Sequence, residues 1–283
     1  MKIGMIAEML REPLFQSLDT ARAMGATGVQ LYAVYGDHNF LEMNDEEMLK
    51  IKHHCDELGL KVSAVCADLG GHGFASEKDN PERIEKTKTI VDKAVLLGAP
   101  VLTTHIGVVP ADSESRNYKV MAEALRECGK YAESKGVTLA IETGPEPAAR
   151  LKKFLDYIDC KGVGVNLDPA NLAMVCRDDP AQAALTLAKY IVHTHAKDGH
   201  SFRPCDPTEV YAAFADGGFE KMVQETGPIF REMPLGQGDV NWDEYMAALK
   251  KIGYNGFLTI EREVGDNPKA DIAMAIDFLK ARI

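Results

Sequence analysis

Four residues whose side chains metals favour each close a short apolar run. The runs are Val137-Thr-Leu-Ala-Ile-Glu142, Val163-Gly-Val-Asn-Leu-Asp168, Tyr190-Ile-Val-His-Thr-His195 and Gly256-Phe-Leu-Thr-Ile-Glu261. Three carboxylates and one imidazole form an oxygen-rich donor set suited to Mn²⁺, Co²⁺ or Mg²⁺. Zn²⁺ also fits, although structural zinc more often recruits cysteine. Any one of Glu142, Asp168, His195 and Glu261 alone reads as a salt-bridged strand end. Four in succession, each on the same side of its run, want a common cause. The chemistry such a set offers is Lewis-acid help to a carbonyl substrate.

Other residues near these positions are candidates for substrate binding, each with a plainer reading beside it. His105, at the end of Val101-Leu-Thr-Thr-His105, is either a donor to a substrate oxygen or a satisfied core histidine. His193 shares the face of His195 but lies one pleat further from the strand's end, so His195 is preferred as the ligand. Asn171, three residues past Asp168, either reaches substrate or caps the next helix. Glu146, four past Glu142, either binds substrate or begins a helix on the favourable end of its dipole. Lys197 and Asp198 either bind substrate or form a local ion pair. Arg231 either binds an anionic group or faces solvent. Gly236 and Gly238 lack the strand–turn–helix setting of a phosphate loop and carry no weight.

Strand alternation says what must position these groups. Residues two apart share a face, so Thr138 and Ala140 go with Glu142, Asn166 with Asp168, His193 with His195 and Thr259 with Glu261. The opposite faces carry Leu139, Ile141, Val165, Leu167, Val192, Leu258 and Ile260. One greasy, helix-facing side and one side turning polar towards the strand's end is the pattern of a parallel barrel with a site at its C-terminal mouth. Strand-like runs begin near Lys2, Gly28, Lys61, Pro100, Val137, Val163, Tyr190 and Gly256. They alternate with amphipathic stretches at 14–24, 45–58, 81–97, 115–135, 148–158, 180–189, 242–252 and 269–281. Several strands follow a glycine that suits a helix C-cap, as at Gly25, Gly59, Gly98 and Gly253. Strict βα alternation predicts one domain, residues 1–283, folded as an α/β (β/α)8 TIM barrel. A doubly wound open sheet is the alternative, but it does not explain site residues on the last four strands. One connection, 197–240, far exceeds the usual ~2–6 residues and predicts an insertion on the catalytic face, a lid or an oligomer contact.

Composition sets the outer limits. With Lys+Arg 32 against Asp+Glu 43, the net charge of −11 disfavours a nucleic-acid backbone as partner. No run approaches the ~18 apolar residues that span a bilayer, so no membrane partner is expected. The start, Met1-Lys-Ile-Gly-Met-Ile-Ala, reads as a strand and not as a secretion signal. The six cysteines are scattered without a CxxC pair and read as reduced packing residues of a cytoplasmic protein.

Taken together, the segments resemble the sugar phosphate isomerase/epimerase superfamily, the xylose isomerase-like TIM barrels. The matching stretches are Ile141-Glu-Thr-Gly-Pro-Glu146, Gly164-Val-Asn-Leu-Asp-Pro-Ala-Asn-Leu172 and His193-Thr-His-Ala-Lys-Asp-Gly199. Pro234-Leu-Gly-Gln-Gly-Asp-Val-Asn-Trp242 and Ile252-Gly-Tyr-Asn-Gly-Phe-Leu-Thr-Ile-Glu261 complete them. The resemblance spans the chain and is tightest over 137–263. It implies metal ligands Glu142, Asp168, His195 and Glu261, with Mn²⁺ the foremost ion, and proton transfer by Glu142 and Glu261. It also implies pairing of barrels through outer helices, as a homodimer or homotetramer. Two departures from the ketose 3-epimerase pattern stand out. Asn171 occupies the place of a histidine, and Ala148 that of an acid, with Glu146 nearby.

The function these readings point to is a metal-dependent sugar isomerase or epimerase of carbohydrate metabolism, acting on a ketose or related carbonyl polyol through an enediolate. One glutamate would remove the proton next to the carbonyl and the other return it. A dehydratase or lyase on a keto-inositol or 3-keto-glycoside shares the first step and then expels a leaving group. A non-catalytic sugar-binding barrel is the third reading.

Overall fold

The computed structural model describes residues 1–36 and 38–283. Eight parallel strands close on themselves. They are β1 (Lys2–Ile6), β2 (Gly28–Tyr32), β3 (Lys61–Cys66), β4 (Val101–Thr104), β5 (Thr138–Glu142), β6 (Val163–Leu167), β7 (Ile191–Ala196) and β8 (Phe257–Ile260). Each strand pairs with the next, and β8 returns to β1 through Lys2 opposite Phe257 and Met5 opposite Ile260. The (β/α)8 barrel expected from the alternation is the fold, and the strand starts agree to within a residue.

Two kinds of packing hold it. Outward-facing Met5, Val29, Leu31, Leu102, Leu139, Ile141, Val165, Leu167 and Leu258 are fully buried against the helices, in one continuous apolar layer. At ~25 cal/mol per Å² this layer is the main source of stability. Inward-facing positions are small or polar: Gly4, Gly28, Ala64, Ala140 and Gly164 below, and Gln30, Thr103, Asn166, His193 and Thr259 higher up, where the polar members are buried. The interior is therefore narrow at one end and hydrogen-bonding at the other.

The helices begin and end where the local chemistry directs. Asn44 and Glu47 form a reciprocal capping box at Asp45–Leu58, and the glycines after the first three barrel helices take left-handed conformations as their C-caps. The stretch expected to be helical over 180–189 is shorter, Pro180–Thr186. Val192, assigned by alternation to the covered face, is instead 37% exposed.

The long connection after β7 is a built substructure. Asp198–Ser201 and Phe230–Met233 pair antiparallel as a stem, and helices Pro207–Ala215 and Phe219–Thr226 sit on it. Asp198 fastens the stem. Its carboxylate accepts from the amides of Gly199 (2.9 Å), Gly236 (2.8 Å) and Val240 (3.3 Å) and from Trp242 Nε1 (2.9 Å). Gly238 is required beside it, because a Cβ there would strike Asp198 Oδ1 and the Gly199 backbone.

Candidate metal centre at the barrel mouth

Alternation along β5 to β8 turns Glu142, Asp168, His195 and Glu261 into one enclosure. One donor atom from each lies within 4.8 Å of every other, and all four residues are buried. His195 Nδ1 is 3.1 Å from Glu261 Oε2, 3.3 Å from Asp168 Oδ2 and 3.6 Å from Glu142 Oε1. The choice between the two histidines of β7 follows from depth. His193, one pleat lower, meets Thr259 Oγ1 at 3.0 Å instead. Burial, with His195 beside it, lowers its pKa to about 3, so it remains a neutral layer residue.

Each donor is held by neighbours. Asp168 Oδ1 accepts from the Asn171 amide at 2.8 Å, which leaves Oδ2 for the centre, and the Asp168 amide donates to Thr143 Oγ1 at 2.8 Å. Asn171 Nδ2 donates to Glu142 Oε1 at 3.1 Å, so this residue steadies two donors at once, one through its backbone and one through its side chain. Gln30 Oε1, on β2, lies 3.2 Å from His195 Nε2. Lys197 Nζ is 3.1 Å from Glu261 Oε2 and 2.5 Å from Glu263 Oε2. Behind it Glu232 holds Arg262 at 2.7 Å, which in turn holds Asp271 at 2.8 Å.

The electrostatics fit a cation. Burial disfavours the ionised form of Glu142 and Glu261, yet both stay below the usual glutamate value, Glu142 because of His105 and His195, Glu261 because of Lys197 and His195. His195 rises well above its ordinary value against the opposing effect of burial, driven by Glu261 and Glu142. Glu261 Oε2 is buried and accepts no hydrogen bond, although Lys197 Nζ and His195 Nδ1 lie at ion-pair distance. Three convergent carboxylates and one imidazole, all buried, form a donor set that could hold a hard divalent ion.

The remaining candidates divide. His105 reaches the site: its Nδ1 is 3.1 Å from Asp68 Oδ2 and its Nε2 3.6 Å from Glu142 Oε1. Burial alone would lower its pKa, but Glu142 and Asp68 raise it to about 10. Glu146 is buried with Oε2 accepting from the Val109 amide at 3.1 Å and Oε1 without a partner. It does not start the helix Ala148–Ile158, whose N-cap is Pro147. Burial pushes the Glu146 carboxyl up to about 8.

Lys197 and Asp198 form no local pair, because Lys197 turns to Glu261 while Asp198 is committed to the stem. Arg231 is exposed on the stem strand, the second of its two readings, and alternation turns Glu232 inward beside it. Among the described residues no helix is long and apolar enough to cross a membrane, and the six cysteines are unpaired.

Gln30, Asp68 and Tyr211 were not among the sequence candidates. Gln30 had a signal, as the one polar side chain on the inward face of Gly28-Val-Gln-Leu-Tyr32. Asp68 lies in the loop after β3 and Tyr211 on the insertion helix Pro207–Ala215, and neither position carries a pattern that points to the mouth.

Comparison with known proteins agrees with this fold. A putative L-ribulose-5-phosphate 3-epimerase UlaE of Shigella dysenteriae serotype 1 is 23% identical over 284 residues, covering 95% of this chain and 89% of its own. Among solved structures, a xylose isomerase domain protein from Planctomyces limnophilus superposes with a TM-score of 0.77 at 27% identity, covering 93% of this chain and 90% of that one. A D-psicose 3-epimerase with D-tagatose from Clostridium cellulolyticum H10 has a TM-score of 0.75 at 15% identity over 100% of this chain and 99% of its own, a likeness of fold. The family model described as xylose isomerase-like TIM barrel matches residues 18–282, and the chain belongs to that family.

Proposed function

We propose that the protein is a divalent-metal-dependent sugar epimerase or isomerase acting on a ketose or a related carbonyl polyol. The observation that carries this reading is the convergence of Glu142, Asp168, His195 and Glu261 within 4.8 Å of one another at the mouth of the barrel. The full-length relation to a protein named as a ribulose-phosphate 3-epimerase supports a ketose as the substrate class. Mn²⁺ is the favoured ion, with Co²⁺, Mg²⁺ and Zn²⁺ as alternatives, held by those four residues.

When bound, the cation would polarise the carbonyl and acidify the neighbouring C–H, a Lewis-acid contribution of several kcal/mol. Glu142 and Glu261 approach the site from strands three apart, so they can stand on different faces of a flat enediolate. One takes the proton from carbon and the other returns it, each step worth ~10²–10⁴ in rate. Lys197 keeps Glu261 ionised and His105 does the same for Glu142, which suits both to act as bases. Asn171 fixes the orientation of Glu142. His105, turned to Glu142 by Asp68, is placed to donate to a substrate oxygen.

The test is proton NMR in D₂O with Mn²⁺-loaded protein and a panel of free and phosphorylated ketoses. Deuterium entering next to the carbonyl with no loss of mass establishes the epimerase or isomerase reaction and identifies the substrate. Loss of water or an aglycone from keto-inositols or 3-keto-glycosides moves the assignment to a lyase. No exchange by metal-loaded protein on any of these sinks the proton-transfer reading.

A further inference from the structure

The two helices of the insertion carry a run of aromatic rings. Phe214 stacks on Phe219 with centroids 4.0 Å apart, Phe219 on Phe230 at 5.5 Å, and Tyr211 meets Phe214 edge-on at 6.3 Å. Phe214 is half exposed, whereas Tyr211 turns down towards the mouth. Its ring lies 6.3 Å from that of His105. Its hydroxyl stands over the backbone of Gly144, where a Cβ would come within 2.7 Å of Tyr211 Oη and 2.6 Å of Asn171 Cβ. Gly144 is the second residue after Glu142, and its φ of 151° is one that side chains rarely tolerate. The absence of a side chain there leaves the space that the phenol occupies.

Three observations make this more than a packing contact. The hydroxyl makes no hydrogen bond among the described residues, although it faces a polar enclosure. Burial and the carboxylates Glu142 and Glu146 hold it well above the ordinary phenol range, so it stays a neutral donor and not a competing metal ligand. The insertion is also tied to the barrel on both sides of the mouth. His72 Nε2, in the loop after β3, meets Asp216 Oδ1 at 3.0 Å, and Cys205 Sγ donates to the Val175 carbonyl at 3.5 Å.

We propose that Tyr211 is a substrate-binding residue delivered by the insertion, its O–H donating to an oxygen of the bound ketose while its ring closes the mouth to water. This rests on the ketose reading above. It makes residues 198–233 a cover for the site, and it assigns specificity to a helix outside the barrel strands. A hydrogen-bonding phenol favours a polyol with a hydroxyl or carbonyl oxygen at that end over an analogue deoxygenated there.

The experiment compares Mn²⁺-loaded wild type, Tyr211→Phe and Tyr211→Leu on the ketose that the wild type turns over. Metal content and melting temperature are measured alongside. The expected result is a roughly tenfold loss of kcat/KM in Tyr211→Phe, with metal content and melting temperature unchanged. A further loss is expected in Tyr211→Leu, where the covering ring is gone. Wild-type kcat and KM in Tyr211→Phe overturn the assignment and leave the two-glutamate reading intact. A loss of activity matched by a loss of metal or of melting temperature also overturns it, by making Tyr211 structural. Should the wild type neither turn over nor bind any ketose, by saturation-transfer NMR, the ketose reading fails and this assignment with it.

Discussion

Gln30 Oε1 and His195 Nε2 stand 3.2 Å apart across the barrel, from β2 to β7. Gln30 Oε1 can only accept, so it favours a proton on Nε2 and leaves Nδ1 towards Glu142, Asp168 and Glu261, while Asn166 Nδ2 lies 3.1 Å from the same Nε2. An outer partner that fixes a ligating imidazole in this way typically contributes 10–100-fold to metal affinity. Gln30→Leu should therefore weaken Mn²⁺ binding by ~10–100-fold while the barrel remains folded. Competition against a chelating dye measures it, and unchanged affinity would mean that the Gln30 contact does not orient the ligand.

The four donors should also couple metal to stability. A ligand that binds only the folded state adds about 4 kcal/mol at a thousandfold excess over its Kd. Melting of EDTA-stripped protein should shift upward on adding Mn²⁺, and Asp168→Ala should abolish the shift. A melting temperature indifferent to every divalent ion argues against a metal centre.

Glu142→Gln and Glu261→Gln each remove a proton-transfer group and keep its shape. Either change should cut turnover by at least ~10², with circular dichroism retained. Near-normal rates in both variants would remove the two-glutamate mechanism.

Glu146 should make stability depend on pH. Its folded pKa of about 8 lies above the ordinary 4.5, so the fold favours the neutral acid. The stability this contributes is complete below pH 4.5 and is lost progressively as pH rises towards 8. Glu146→Gln is free of that loss, by an amount on the order of a few kcal/mol. Its melting temperature should gain on the wild type between pH 5 and pH 9, and parallel curves would place the titration elsewhere.

Asp198 accepts four hydrogen bonds from the stem and from Trp242, so Asp198→Ala should cost about 2–3 kcal/mol. Trp242 is the single tryptophan, and its fluorescence should report the change directly. A variant with unaltered emission and melting would show that the stem is held by its strand pairing.

The parts of this protein legible in the sequence are those in which a local period carries the information. Alternation in Thr138–Glu142 and Val163–Leu167 separates a greasy face from a polar one, and that is enough to put Glu142 and Asp168 inside one barrel mouth. The same rule ranks His195 above His193, since one pleat is the difference between the centre and the layer beneath it. Where a residue's role depends on what its loop folds against, no period records it. Lys197 and Asp198 are adjacent, yet one serves Glu261 and the other the stem, a division made by the return of 230–242 to the barrel. Arg231 and Glu232 take outside and inside by the register of a two-stranded ribbon that sets His200 opposite Arg231 and Gly199 opposite Glu232. Asp68 comes to the mouth on a loop and Tyr211 on a helix of the insertion, and only tertiary packing can aim either. The sequence by itself thus determined the barrel and its four donors, because strand geometry is local. Which side chains gather around that centre was decided by long-range closure, because contacts between loops are made only once the barrel has shut.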